Sequence, residues 1–259
     1  MIPYFFWNTI HLGPLTLQVW GLFVSAGALA ALFIAQKIAR TQNLSKDIIL
    51  DLFFWLLLCG LIGGRVFYVV FYDPIFFAQN PWEILMVWHG GASSLGGWFG
   101  ASLAAYLYCR INKIKWRVFL QYADVLALGL WLGWAIGRLG CFMIHDHIGV
   151  LSSSFLAVAF PSGARLDLGL MESLLALVVF IIFISLYKKI IHWPGRVFMY
   201  SFILYSTIRF FMDFWRANDI SGADIRYALL TPAQWGMITI ITVLTFLLLC
   251  DKIRQRNTT

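Results

Sequence analysis

The sequence contains few charged residues. Asp, Glu, Lys and Arg make up 12% of the 259 residues, whereas a soluble domain carries about 25%. The mean hydropathy is +0.81. This number of charges cannot cover a water-facing surface, which excludes a soluble globular protein. Much of the surface is therefore expected to face lipid.

Other features are also missing. The four cysteines form no CxxC pair, which argues against a disulfide framework or a cysteine-based zinc site. The N-terminal stretch MIPYFFWNTIHLG lacks a basic region and a small-residue cleavage site, so no cleavable signal peptide is expected. The net charge of +7 comes from short clusters between apolar runs, a pattern typical of membrane-protein loops, and we predict no nucleic-acid partner.

Long apolar runs dominate the chain. A bilayer core requires about 20 apolar residues per helix, and the runs show no alternation of the kind that barrel strands need. We predict an all-α polytopic membrane protein, a single transmembrane domain over 1–259, with short external elements around 73–91, 143–166 and 216–232. Seven spans are predicted, at about 15–37, 48–72, 92–109, 120–142, 167–187, 196–215 and 233–250.

The basic residues predict the orientation. Thirteen of the 19 Lys and Arg lie between spans 1 and 2, between 3 and 4, between 5 and 6, or after span 7. Basic loops stay in the cytoplasm. We therefore expect a multi-pass protein of the bacterial inner membrane, with a cytoplasmic C-terminus and a periplasmic N-terminus.

The six other basic residues are all arginines, and Arg65, Arg138 and Arg209 lie within spans. An Arg at the membrane centre costs roughly 3 to more than 10 kcal/mol. Its guanidinium binds phosphate as a planar, permanently charged fork, so a cationic chamber for a phospholipid headgroup is one interpretation. The alternative is that each Arg snorkels or pairs with a carboxylate, for which Asp213, one turn after Arg209, is a candidate.

Glycines cluster in the same spans. The run GLWLGWAIGRLGCF places Gly129, Gly133 and Gly137 at GxxxG spacing, which indicates close helix packing. The stretch HGGASSLGG at 89–97 is less easily explained by packing. Its backbone N–H groups could meet an anion at the start of a helix.

The densest polar segment is GRLGCFMIHDHIG at 137–149. His145, Asp146 and His147 could supply acid–base chemistry beside Arg138, or they could simply be polar loop residues. A metal site would lack one or two ligands, so none is predicted.

Six motifs, in order along nearly the whole chain, resemble those of the bacterial prolipoprotein diacylglyceryl transferases. They are GGRVFYVVFY after residue 62, HGGASSLGG, GRLGCFMIHDHIG, RLDLGLME at 165–172, IRFFMDFWR at 208–216 and LTPAQW at 230–235. The third is similar to the family signature, which reads roughly G-R-x-G-N-F-x-N-x-E-x-x-G.

The resemblance implies a reaction and its partners. Family members transfer the diacylglyceryl group of phosphatidylglycerol, a membrane lipid, to the lipobox cysteine near the signal peptide of a prolipoprotein. A thioether forms and glycerol 1-phosphate leaves, with no cofactor. Because a thiolate attacks carbon while a phosphate departs, fixed positive charge at the leaving group suits this chemistry.

The resemblance implies site roles for Arg138, Arg209, Asp146, Gly149, Glu172 and Asp213, and the residue pattern adds the others, with His145 and His147 as substitutes for the missing family histidine. Catalytic roles are expected for Arg138, Arg209, Asp146, His145 and His147. Substrate-binding roles are expected for Arg65, Gly91, Ser93, Gly96, Gly97, Cys141, Gly149, Glu172 and Asp213.

The chain departs from the family pattern at several positions. Leu95 replaces a histidine often assigned to catalysis, Cys141 and Ile144 replace two signature asparagines, Asp146 replaces the glutamate, and Trp20 replaces a tyrosine. The proton acceptor is therefore open. One hypothesis assigns it to the His-Asp-His loop, with an ionisation near pH ~6–7; the other needs no dedicated base, because a nearby arginine lowers the pKa of the substrate thiol.

Two other functions remain open. A relative that binds phospholipid or lipoprotein without catalysis is the first, because Leu95 cannot move a proton. A small-solute transporter is the second, although the sequence shows neither an inverted repeat nor a pair of broken helices.

Overall fold

The structure, a computed structural model, describes residues 1–13, 15–220 and 226–256. It is mostly helical, as predicted. The helices are α1 (Val19–Thr41), α2 (Lys46–Phe71), α3 (Pro74–Gln79), α4 (Ser94–Ile111), α5 (Trp116–Ile144), α6 (Leu168–Ile190), α7 (Arg196–Met212) and α8 (Pro232–Arg256). Short 3-10 turns lie at Pro81–Ile84, Val87–His89 and Asp213–Trp215.

In the described part of the chain, six helices are long and apolar enough to cross a membrane: α1, α2, α5, α6, α7 extended to Trp215, and α8. The protein is thus a multi-pass membrane protein. The third predicted span corresponds to α4, which has 18 residues and is not one of the six. Its glycines, serines and tyrosines make it less apolar, so the count of seven spans remains a prediction.

The chain divides into two compact units. The first comprises residues 1–38 and 123–259, and the second comprises residues 39–122. The single transmembrane domain predicted over 1–259 is not tested by this division. The predicted external element at 216–232 includes 221–225, which lie outside the described residues.

Glycines allow close helix packing in both units. In the first, a Cβ on Gly133 would lie 2.5 Å from the Gly27 carbonyl oxygen, and a Cβ on Gly129 would lie 2.2 Å from that of Ala31. In the second, a Cβ on Gly96 would lie 2.3 Å from the Gly63 carbonyl oxygen. The packing role predicted for Gly129 and Gly133 is confirmed, and Gly96 in the HGGASSLGG stretch has the same role.

The first unit also contains a small sheet that was not predicted. Strands β1 (Ile2–Pro3), β4 (Ile148–Leu151), β5 (Val158–Phe160) and β6 (Gly163–Asp167) form it in the order β1-β5-β6-β4, with only β1 and β5 parallel. Strands β2 (Thr9–Leu12) and β3 (Leu15–Gln18) form a separate hairpin. Strand β4 follows the end of α5, and strand β6 leads directly into α6. The four-stranded sheet therefore connects these two helices.

Candidate active site

Glu172 joins the two arginines of the predicted site. Its carboxylate is fully buried in α6, with Arg138 Nη2 2.8 Å from Oε2 and Arg209 Nε 2.8 Å from Oε1. Helices α5, α6 and α7 each contribute one member of this cluster. The Arg209 side chain is 6% exposed, whereas that of Arg138 is 18% exposed, so Arg138 is the more accessible of the two guanidinium groups.

Asp213, at the start of the 3-10 turn that follows α7, extends the cluster. Its Oδ1 lies 2.7 Å from Arg209 Nη1 and 4.0 Å from Arg216 Nη1. The predicted pairing of Arg209 with Asp213 is therefore confirmed. Arg138, Arg209 and Arg216 carry three positive charges and the carboxylates of Glu172 and Asp213 carry two negative ones, so these five side chains have a net charge of +1.

The start of α8 is attached to this cluster. The Thr231 hydroxyl donates to Asp213 Oδ2 and accepts from the Gln234 N–H at 3.2 Å, while Gln234 Oε1 accepts from the Thr231 N–H at 2.9 Å. This reciprocal pair is a capping box. The LTPAQW motif thus starts α8 and orients a site carboxylate.

Two aromatic residues complete the surroundings of Glu172. The Tyr205 hydroxyl donates to Glu172 Oε2 at 3.2 Å and accepts from Trp134 Nε1 at 2.9 Å. The Arg138 guanidinium carbon lies 5.2 Å from the centroid of the Trp134 ring. Arg138 is therefore held by a carboxylate and by an aromatic face.

His145 lies in an aromatic environment beside the sheet. It is buried, adopts a left-handed backbone conformation with φ 50°, and its Nδ1 lies 2.7 Å from Asp167 Oδ2. Its ring contacts those of Tyr4, Phe5, Phe142 and Phe160. Asp167 also caps α6 by accepting from the Leu170 N–H, so His145 connects the end of α5 to the start of α6.

Asp146 and His147 lie instead with Cys141. One ligand atom from each of these three residues lies within 4.8 Å of the others. Arg138 Nη1 lies 3.6 Å from Cys141 Sγ, so this group adjoins the arginine cluster. The structure thus separates the two histidines of the His-Asp-His loop and brings only His147 toward the predicted catalytic arginine.

The ionisation of this loop differs from that of free side chains. Burial, and next the neighbouring Arg138, lower the pKa of His147 to about 4. Burial raises the pKa of Asp146 against the opposing effect of Arg138. His147 is therefore neutral at physiological pH and a weak proton acceptor, which differs from the expected ionisation near pH ~6–7.

Gly149 lies where the loop meets the end of α7. It forms an isolated β-bridge with Arg216, and a Cβ there would lie 2.9 Å from the carbonyl oxygens of both Leu166 and Trp215. Its carbonyl oxygen accepts from Arg165 Nη1, and both terminal nitrogens of Arg165 bind Asp219, at 2.9 and 2.6 Å. Only glycine fits this close crossing of backbones.

Arg65 belongs to the second unit, and its environment is different. Its guanidinium donates to five backbone carbonyl oxygens, those of Glu83, Ile84, Met86, Gly90 and Gly91. It is 6% exposed. This side chain organises the segment that leads into α4.

The other predicted residues of this unit lie at the start of α4. Ser93 is buried and caps the helix by accepting from the Gly96 N–H at 3.5 Å. Gly91 has φ +76° and Gly97 is close to Gly60. The segment is thus a tightly packed helix entry.

Sequence reasoning missed several residues of the site. One signal was readable, because Thr231 and Gln234 in LTPAQW have the spacing of a capping box. The others depend on contacts between distant segments and have no local signal. They are Trp134, Asp167, Tyr205 and Asp219.

The comparisons with known proteins agree with these motifs. The family model described as prolipoprotein diacylglyceryl transferase matches residues 8–250. A phosphatidylglycerol–prolipoprotein diacylglyceryl transferase of Staphylococcus xylosus is 31% identical over 95% of this chain and 90% of its own length. A Staphylococcus aureus protein of the same name is 30% identical over 89% and 85%.

Proposed function

The chain belongs to the prolipoprotein diacylglyceryl transferase family, and we propose that it transfers the diacylglyceryl group of phosphatidylglycerol to the lipobox cysteine of prolipoproteins. The observation that supports this most is the attachment of Arg138 and Arg209 to the two oxygens of Glu172. It gives a buried, oriented and net cationic cluster on three helices. The relatives named above carry this activity in their names.

The charge of the cluster suits the leaving group. Phosphatidylglycerol carries one negative charge at its phosphodiester, and glycerol 1-phosphate gains a second as the bond to the diacylglyceryl carbon breaks. A cluster with one excess positive charge therefore stabilises the transition state more than the bound lipid. Arg138, the more exposed guanidinium, would contact the phosphate, while Arg209 would hold Glu172 and Asp213 in place.

In the reaction, the substrate thiolate attacks the diacylglyceryl carbon bonded to the phosphate oxygen. The S–C bond forms, the C–O bond breaks, and the electron pair leaves with the phosphate. Asp146 and His147 lie near Arg138 and are the loop residues we propose for handling the proton. His145, held by Asp167, would position the loop.

The remaining predicted residues are proposed to shape substrate binding. Gly149 and Cys141 lie beside the catalytic groups. In the second unit, Arg65, Gly91, Ser93, Gly96 and Gly97 build a helix entry, and we propose that this entry shapes lipid binding. Their tight packing means that a substitution there would alter the backbone as well as any lipid contact.

We also propose that the protein lies in the bacterial inner membrane with its site facing the periplasm. Basic residues concentrate in alternate connections along the chain, and such loops remain cytoplasmic. A reporter active only in the periplasm should be active near Asn80 and silent after Thr259. The reverse pattern would exclude this orientation.

Purified protein tests the activity. Incubated in detergent with phosphatidylglycerol and a lipobox peptide, it should add one diacylglyceryl group to the peptide cysteine, measured as a mass increase that resists thioester cleavage. A peptide with serine in place of cysteine is the matched control. Lipid or peptide binding without any mass increase would favour the non-catalytic relative.

A further inference from the structure

Cys141, Asp146 and His147 form a cluster of metal-ligating atoms. One sulfur, one carboxylate oxygen and one ring nitrogen lie within 4.8 Å of one another. Cys141 is in the last turn of α5, and the left-handed conformation of His145 turns the chain out of the helix. The two residues that follow therefore return toward the Cys141 side chain.

The donor set fits a zinc-class cation. Thiolate, imidazole and carboxylate are the three protein ligands of zinc, and catalytic zinc sites use three of them and keep the fourth position open. From metal–ligand distances of roughly 2.0–2.3 Å, the edges of such a tetrahedron are about 3.3–3.8 Å. Side-chain rotations that bring the atoms about 1 Å closer would therefore complete the site.

The neighbouring hydrogen bonds also fit. His147 Nδ1 lies 2.9 Å from the Asp146 carbonyl oxygen, and if Nδ1 donates there, Nε2 keeps its lone pair. Metal-binding histidines usually donate their second nitrogen in this way. Arg138 Nη1 donates to Cys141 Sγ at 3.6 Å, which orients the sulfur within the cluster.

We propose that Cys141, Asp146 and His147 bind one zinc-class divalent cation, whose open position takes the thiol of the prolipoprotein. This proposal rests on the transferase function proposed above. The Cys141 thiolate and the Asp146 carboxylate carry two negative charges and balance the divalent ion, while Arg138 is already paired with Glu172. The ion therefore does not have to compete with Arg138 for the Asp146 carboxylate.

The step is balanced without any further reactant. With the cation bound, Asp146 and His147 act as its ligands instead of accepting the proton. The substrate thiol binds the cation and releases its proton to water, because a coordinated thiol is deprotonated. The bound thiolate then attacks the diacylglyceryl carbon. The S–C bond forms, the C–O bond to phosphate breaks, and glycerol 1-phosphate leaves with the electron pair.

Metal content provides a test that does not depend on activity. Protein purified in detergent without a histidine tag should contain about one zinc per chain after dialysis against zinc and then against metal-free buffer. Cobalt should bind the same site and give the near-ultraviolet charge-transfer band of a Co–thiolate bond. Cys141→Ser should remove that band, and His147→Gln should lower the affinity for either metal at least tenfold.

Matched variants control for loss of folding. Cys109→Ser and His192→Gln change the same residue types elsewhere in the chain and should keep one metal per chain. A thermal melt of each variant in the same detergent shows whether it is folded. A wild-type protein that holds no more zinc or cobalt than the folded Cys141→Ser, His147→Gln double variant would overturn the proposal.

Metal content and transferase activity, measured on the same samples, test the metal site and the proposed transferase function separately. Metal binding at Cys141 and His147 without transferase activity would support the metal site and contradict the proposed function. Full transferase activity after the metal has been removed by a chelator, verified by elemental analysis, would contradict the metal's role and leave the function standing. Activity that falls on chelation and returns with zinc would support both.

Discussion

Arg138 Nη2 lies 2.8 Å from Oε2 of Glu172, whose carboxylate is fully buried. The other oxygen of the same carboxylate lies 2.8 Å from Arg209 Nε. A buried charge is costly unless it is paired, so the carboxylate and the guanidiniums stabilise one another within the apolar bundle. The same pairing orients Arg138 for the phosphate contact proposed here.

Replacing Arg138 by lysine should lower kcat/KM for transfer by about 100-fold or more. An ammonium keeps the positive charge but cannot contact Glu172 and a phosphate through one planar fork, and removing a single oriented donor from a leaving oxyanion costs 10²–10³-fold. Kinetics with phosphatidylglycerol and a lipobox peptide measure the effect.

The matched control for Arg138→Lys is Arg196→Lys, at the start of α7, where the arginine pairs with the half-exposed Asp251. That variant should retain near-normal activity. Near-full activity of Arg138→Lys would contradict the phosphate role of Arg138, and near-full activity of Arg209→Lys would contradict the positioning role of Arg209.

The two histidines should have different effects when replaced by alanine. His145→Ala leaves a cavity among aromatic rings and removes the partner of Asp167 Oδ2, so the melting temperature should fall, with a loss of about 2–4 kcal/mol in the free energy of unfolding. His147→Ala should change the melting temperature much less but lower the transfer rate by on the order of a hundredfold. Thermal unfolding in detergent and steady-state kinetics separate the two.

His89→Ala provides a control for the histidine variants, because that side chain is half exposed and pairs with Glu83. This replacement should change neither the melting temperature nor the transfer rate appreciably. Equal, small effects of His145→Ala and His147→Ala on both rate and stability would exclude a catalytic role for the His-Asp-His loop. The arginines would then be the remaining catalytic residues.

Acid should weaken the attachment of Asp219 to Arg165. The hydrogen bond from Arg165 holds the pKa of Asp219 below its usual range, so the pairing stabilises the fold above the ordinary carboxylate pKa of about 3.9. That contribution is lost as the pH falls through the lower, folded-state pKa. The melting temperature of the wild type should therefore exceed that of Asp219→Asn at neutral pH.

The difference between these two proteins should shrink as the pH falls below about 4. Asp251→Asn, which removes the partner of Arg196, is the matched control for a general effect of acid on this membrane protein. A difference between wild type and Asp219→Asn that is independent of pH would show that the pairing does not depend on the carboxylate charge.

The sequence predicts the helices well, because the cost of placing polar groups in lipid leaves a strong local pattern of apolar runs. It does not predict the sheet, because its strands have only two to five residues and pair across long separations, as Ile2–Pro3 does with Val158–Ala159. The start of α4 is also ambiguous, since a helix entry rich in glycine is less apolar than a typical span.

The site also contains residues that the sequence predicts and residues that it does not. Arg138, Arg209 and Asp213 are recognisable because a charge inside an apolar run is unusual and the i,i+4 spacing is local. The separation of His145 from His147 is not recognisable, because it depends on a left-handed residue in the loop and on Asp167, 22 positions away. Consecutive residues in a loop can thus have different roles.

The proposed reaction predicts where each part of the lipid goes. Phosphatidylglycerol labelled with ¹³C in the headgroup glycerol and with deuterium in the acyl chains would be incubated with purified protein and a lipobox peptide. The deuterium should appear on the peptide cysteine and the ¹³C in released glycerol 1-phosphate, in equal amounts, with both products reduced about 100-fold or more in Arg138→Lys. Lipid that binds and is recovered intact, or a peptide that gains an acyl chain without release of glycerol 1-phosphate, would contradict diacylglyceryl transfer by this site.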